Sequence, residues 1–407
     1  MKKSNINDLA YFGGPPSFAE PLHVGRPNIG DQQRFLSRIN EILDRRWLTN
    51  DGPMVKEFER QIERLLSVKH CITMCNATIA LEIVSRALDL KGEVIIPSFT
   101  FVATAHALQW QGIKPVFCDV NPLTHNIDPG QLESLITPQT SGIIGVHVWG
   151  RACEVEQLDA IARKYHLKLI YDAAHAFGCS HAGKMIGNFG AAEVFSFHAT
   201  KFFNTFEGGA VVTNDDELAS RIRLMRNFGF KNYDTVVYLG TNGKMSEVSA
   251  AMGLTGLEKL EEFISVNRQH YRSYQRLLSG LLGVKLIQYN ETEKNNYQYI
   301  VIEVNEDITH ISRDLINDIL HAENILSRRY FHPGCHQMEP YCLDFPKNGL
   351  ALPETEKLSL AVLQLPTGTA VSEKEISQIC ELILFAITNG SEIREMVGAS
   401  YPKFSSC

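Results

Sequence analysis

No run of about 18 apolar residues occurs in the 407-residue chain, and its first twenty residues carry Pro, Gly and acidic side chains where a leader would need an apolar core. Neither a membrane span nor a secretory leader is therefore expected, and the chain is expected in the cytoplasm. The nine cysteines (71, 75, 118, 153, 179, 335, 342, 380 and 407) are odd in number and scattered, and no CxxC pair is among them. That excludes a disulfide framework and gives no zinc motif, so reduced thiols and no metal are the expectation. Long basic runs are missing as well. With a net charge of −7 and both signs interspersed, the chain offers no nucleic-acid stripe and no polybasic anchor. An anionic ligand would need a local positive pocket. Internal repeats and low-complexity tracts are also absent.

What the chain does contain is alternation. An N-terminal arm rich in turn residues (1–30) precedes DQQRFLSRINEILDRRW, which has helical spacing, and a second helix begins after the Asn50-Asp51-Gly52-Pro53 break. The short Val-, Ile- and Phe-rich runs CITMC, EVIIP, KPVFCDV, GIIGVHVWG, LKLIYD, VFSF and GAVVTN then alternate with helix-periodic segments. Such a pattern predicts an α/β fold, a mainly parallel seven-stranded sheet covered by helices, over 31–255. From about Gly256 a long polar-faced helix leads into strand candidates VKLIQY and YQYIVIEV, a helix at SRDLINDILHAENI and a last helix ended by Asn389-Gly390. This reads as a smaller C-terminal α+β domain, 256–390. The tail 391–407 has too little apolar periodicity to assign.

Two residues at the ends of apolar runs carry the chemistry. Asp172 closes KLIYD, and Lys201 lies five residues beyond Ser196, which closes EVFSF. In an open α/β sheet, ligands bind outside the carboxyl ends of the strands. A lysine amine that can form a Schiff base, paired with a carboxylate that can hold a pyridine nitrogen protonated, is what pyridoxal phosphate requires. Cys75-Asn76-Ala77-Thr78 follows one strand and opens a helix, so free amides and the Thr78 hydroxyl are placed for a phosphate; ordinary N-capping would also explain Asn76 or Thr78.

The ordered set CNATIAL, PSFTFVAT, GVHVWGRAC, YDAAHAFG, FSFHATKFFNTFEGGAVVT, NGKMSEVSAAMG and RRYFHPGCHQMEPY resembles the DegT/DnrJ/EryC1/StrS family of sugar aminotransferases over nearly the whole chain. The resemblance implies a fold type I pyridoxal phosphate architecture and a homodimer with shared active sites. It implies that Lys201 and Asp172 are catalytic, that Ala77, Thr78 and Ser196 hold the phosphate, and that Phe101 stacks on one face of the cofactor ring. His175 would cover the other face or approach the ring hydroxyl. Asn242 would reach the partner's phosphate across the interface. Lys244 stands where the family often has Arg, which keeps the charge and loses the bidentate fork. Some relatives that work as dehydratases carry His at the lysine position, and Lys201 argues against that branch.

The motifs HVWGR at 147–151 and RRYFHPGCH at 328–336 look like the subgroup that aminates C4 of nucleotide-linked 4-keto-6-deoxyhexoses. His332 stands where that subgroup often shows Tyr. Arg328, Arg329 and Lys184 are candidate sources of positive charge for the diphosphate. The expectation is a transamination of dTDP-4-keto-6-deoxyglucose, or another nucleotide-linked equivalent, with L-glutamate as amino donor. Amination at C3, a non-catalytic binding or regulatory role, and another fold type I reaction such as decarboxylation are the alternatives.

Overall fold

The seven runs rich in Val, Ile and Phe form a single sheet. In the computed structural model, which describes residues 3–343 and 351–400, its strands are β1 (His70–Met74), β2 (Glu93–Pro97), β3 (Lys114–Cys118), β4 (Thr140–Val146), β5 (Lys168–Asp172), β6 (Ala192–Ser196) and β7 (Gly209–Thr213). They lie in the order β1-β7-β6-β5-β4-β2-β3, and only β7 runs antiparallel to its neighbours. Burial on both faces explains why the strands read as apolar runs instead of alternating ones. On β7, Val211 packs with Leu81 and Val84 on one face, whereas Ala210 and Val212 join Phe58 and Ile62 on the other.

Helices cover both faces. On one side lie α1 (Pro53–Leu66) and, much later in the chain, Glu247–Leu257; on the other lie α2 (Ala77–Ala87) and α3 (Ala103–Gln109). The helix Glu247–Leu257, α4, approaches α1 closely enough that a Cβ on Gly253 would stand 2.5 Å from the Phe58 ring. Its Glu247 carboxylate, buried, accepts the Met54 and Val55 amides at 2.9 Å each. The start of α1, which has no side-chain cap of its own, is thereby satisfied from a segment far away in sequence.

Beyond α4, helix α5 (Leu260–Leu277) leads to a second, antiparallel sheet of β8 (Val284–Leu286), β9 (Ile300–Val304) and β10 (Val362–Leu365), in that order. β10 was not anticipated: its run AVLQL is short and follows a helix directly. Helix α6 (Glu373–Thr388) packs on this unit. The N-terminal arm does too, through Ile6, Leu9, Phe18 and Leu22, and Leu22–His23 pairs in parallel with Ile325–Leu326. The tail, left unassigned from its sequence, begins in a further helix, α7 (Gly390–Ser400). Its Ile393 is fully buried in the same core and its Met396 packs there, so tertiary contact holds a segment whose own periodicity is weak. Residues 401–407 lie outside the described residues.

The eight cysteines among the described residues are free thiols, and no described helix is long and apolar enough to cross a membrane.

Candidate active site

β5 and β6 lie side by side in parallel, with Asp172 opposite Val194. Their carboxyl ends therefore open onto one place, together with the starts of α2 and β7. A cavity of about 500 Å³ occupies it. Ala77, Thr78, Phe101, Asp172, His175, Ser196 and Lys201 all line this cavity, so seven positions spread over 125 residues of chain converge as expected.

At one end is an anion cradle. Asn76 caps α2, its side chain accepting the Ile79 amide at 2.8 Å, so the capping reading of Asn76 is correct. The amides of Ala77 and Thr78, in the first turn, find no acceptor within the helix. With the hydroxyls of Thr78 and Ser196 they make a donor set for a dianion, at the end of α2 where the helix dipole favours negative charge. Glycine at 209 lets β7 pass close by: a Cβ there would stand 2.7 Å from the Ala77 nitrogen.

Asp172 is 6% exposed. Its carboxylate accepts from Thr104 Oγ1 at 2.8 Å and from the Ala174 amide at 3.0 Å, so α3 and the turn after β5 both fix its orientation. Burial pushes its pKa up, and those two hydrogen bonds and the Lys201 charge only partly oppose the rise. A cationic ring nitrogen in front of it would supply the missing counter-charge.

Lys201 is half-buried, and its amine donates to the Tyr299 hydroxyl at 2.9 Å. Desolvation pulls its pKa down to about 8; Asp172 opposes this and Arg328 adds to it. An amine poised near neutrality is both a competent nucleophile and a proton carrier. His175 is buried, and its Nδ1 accepts the Trp149 amide at 3.3 Å, which leaves the proton on Nε2. Burial, with the Lys201 charge, holds it neutral.

An aromatic cluster braces this wall. The His175 ring centroid is 4.2 Å from Tyr299 and 5.9 Å from both Trp149 and Phe331. Phe101, which also lines the cavity, is 56% exposed, a flat apolar surface left uncovered. The donor set, the buried carboxylate, the amine and the two flat walls fit pyridoxal phosphate in all its parts.

Residues 30–384 match the family described as the DegT/DnrJ/EryC1/StrS aminotransferases. The chain belongs to that family. Among similar proteins is a dTDP-4-amino-4,6-dideoxy-D-glucose transaminase of Shigella dysenteriae, 39% identical over 79% of this chain and 88% of its own. Another of that name, from Escherichia coli, is 37% identical over 89% of this chain and 98% of its own. The solved structure of DesI in the presence of its TDP-sugar product superposes with a TM-score of 0.93 at 47% identity, over 97% of this chain and all of that one. The protein is thus an aminotransferase that uses pyridoxal phosphate.

Four positions expected in this aminotransferase's site do not line its cavity. Asn242 is exposed, on a segment bridged to Asn227. Lys184 is exposed in the hairpin Ser180–His181/Lys184–Met185. Arg329 is exposed and pairs with Asp314 at 3.0 Å, and His332 is half-buried near Arg313, Asp314 and Arg329. The arginine that does line the cavity is Arg328, which donates to the Tyr330 hydroxyl at 3.0 Å. Lys244 donates to Asn227 at 3.0 Å. Thr104, Trp149 and Tyr299 were not foreseen as site residues. Tyr299 sits just before β9, more than ninety residues from Lys201, and no local motif marks it.

Proposed function

We propose that this aminotransferase converts a dTDP-linked 4-keto-6-deoxyglucose to the 4-amino-4,6-dideoxy sugar, with L-glutamate as amino donor, in the cytoplasm, as a homodimer with shared sites. One observation supports the sugar substrate above others: the whole-chain similarity to DesI, a protein solved with a TDP-sugar product. When bound, pyridoxal phosphate supplies a carbonyl carbon to which amines add and a ring that takes up the electron pair left when the substrate C–H bond breaks.

The chain's residues divide the remaining work. Lys201 holds the cofactor at rest, and once released it takes the proton from the substrate carbon and returns it. Asp172 keeps the ring nitrogen protonated. The Ala77 and Thr78 amides and the Thr78 and Ser196 hydroxyls bind the phosphate, with Asn242 of the neighbouring subunit completing it. Phe101 and His175 enclose the ring, which excludes water and fixes its plane. Arg328 offers positive charge at the cavity for a carboxylate or diphosphate; Arg329, Lys184 and His332 serve the outer part of the nucleotide.

The test is product analysis by NMR after incubating the enzyme with dTDP-4-keto-6-deoxyglucose and L-glutamate. A 4-amino product with stoichiometric 2-oxoglutarate is expected. Amination of a 3-keto isomer in its place would move the reaction to C3, and no product from either sugar would overturn the substrate class.

A further inference from the structure

The amine of Lys201 has one hydrogen-bond partner among the described residues, and it comes from the residue just before β9 of the second sheet: the Tyr299 hydroxyl, at 2.9 Å. No ion pair within 4 Å joins Lys201 to Asp172. The phenol is fixed on every side. Its residue is 3% exposed, its ring packs on His175 at 4.2 Å and Trp149 at 5.4 Å, and its backbone carbonyl accepts the Tyr289 hydroxyl at 2.9 Å. Charge-assisted hydrogen bonds are about twice as strong as neutral ones, so this fixed oxygen favours the protonated amine over the neutral one. The other titratable groups that line the cavity are Asp172, His175, His198, Glu207, Arg328 and Tyr330. Of these, Asp172 favours the charged amine and Arg328 opposes it. Burial keeps the Tyr299 phenol un-ionised, so it acts by orientation and not as a second anion.

We propose that Tyr299 is a positioning residue for the reaction: its hydroxyl holds the free Lys201 amine in place and steadies it while it carries the proton taken from the substrate carbon. The inference rests on Lys201 being the lysine that holds the cofactor. Three consequences follow from removing the hydroxyl and keeping the ring, as in Tyr299→Phe. In the full-length chain freed of cofactor, the pH midpoint for reductive methylation of Lys201, followed by peptide mass spectrometry, should fall by about half a pH unit or more. In the holoenzyme, kcat for the glutamate half-reaction should fall about tenfold or more with KM changed less than about twofold. The effect of α-deuterated glutamate should rise as proton transfer becomes limiting.

An unchanged midpoint overturns the proposal, and so does a rise in KM at constant kcat. Tyr299→Met removes the same hydroxyl with a side chain that repacks easily, and it must move the midpoint the same way if Tyr299→Phe is recovered unfolded. A separate control distinguishes the premise. If Lys201→Ala retains the visible absorption of lysine-bound cofactor near about 410–430 nm, the assignment of Lys201 fails; if that band is lost and the Tyr299 midpoint does not move, the Tyr299 inference alone fails.

Discussion

Asp172 and Lys201 owe their roles to opposite responses to the same burial. Desolvation raises the carboxyl pKa and lowers that of the amine, so Asp172 is short of a positive partner, which a cationic ring nitrogen would supply, while Lys201 is more readily left as the neutral, nucleophilic amine. Asp172→Asn keeps the shape and removes the charge. It is expected to lower kcat by about a hundredfold or more with cofactor still bound, checked by kinetics beside the absorbance spectrum. For Lys201 the sign runs with pH. Its folded pKa of about 8 lies below the ordinary lysine value of 10.5, so between those values the unfolded chain binds the extra proton. The cofactor-free protein should therefore gain stability from this group as pH rises through that window, and Lys201→Met should abolish that part of the rise in denaturant midpoints. Both residues were legible in the sequence because Asp172 closes one apolar run and Lys201 follows another by five residues. Tyr299, Trp149 and Thr104 were not, since only the fold sets them against Lys201, His175 and Asp172 behind the cavity wall, and Arg328 could not be told from Arg329 by sequence, because one lines the cavity and its neighbour pairs with Asp314.

At the scale of elements, the start of α2 is where stability and binding meet. Asn76→Ala removes the acceptor for the Ile79 amide and should cost about 1 kcal/mol; because it also loosens the turn that presents the Ala77 and Thr78 amides, cofactor release should speed up. Thermal unfolding and fluorescence-monitored cofactor loss measure the two. The same logic applied to α1 separates stability from binding. Glu247 accepts the first amides of that helix from α4 and touches no part of the cavity, so Glu247→Ala should cost about 1–3 kcal/mol and leave cofactor affinity unchanged. Elements built from local signals were readable in advance, the seven central strands most of all, because burial on both faces makes them continuous apolar runs. β10 and α7 were not, since the first is only four residues long and the second is stabilised mainly by burying Ile393 and Met396 against a core assembled from both ends of the chain.

For the whole molecule, the exposed position of Asn242 is the informative fact. It lies outside the cavity of its own subunit, on a stretch whose neighbours Phe228, Val236, Val237 and Leu239 leave large apolar surface uncovered. Such a patch on a chain of this size fits an interface, and a C2 dimer would carry each Asn242 towards the other subunit's site. Complementation tests this. Lys201→Ala subunits lack the amine but keep Asn242; Asn242→Asp subunits keep the amine but set a carboxylate against the phosphate. Each homodimer should be inactive. After mixing under conditions that exchange subunits, each heterodimer holds one site in which an intact Lys201 faces an intact Asn242 and one in which both are altered. Activity should then return to about one quarter of wild type in an equal mixture, half the dimers being mixed and each of these having one working site. Recovery confined to the mixture would establish that the cofactor phosphate is held from both subunits, and a mixture as inactive as its parents would return Asn242 to an ordinary surface position.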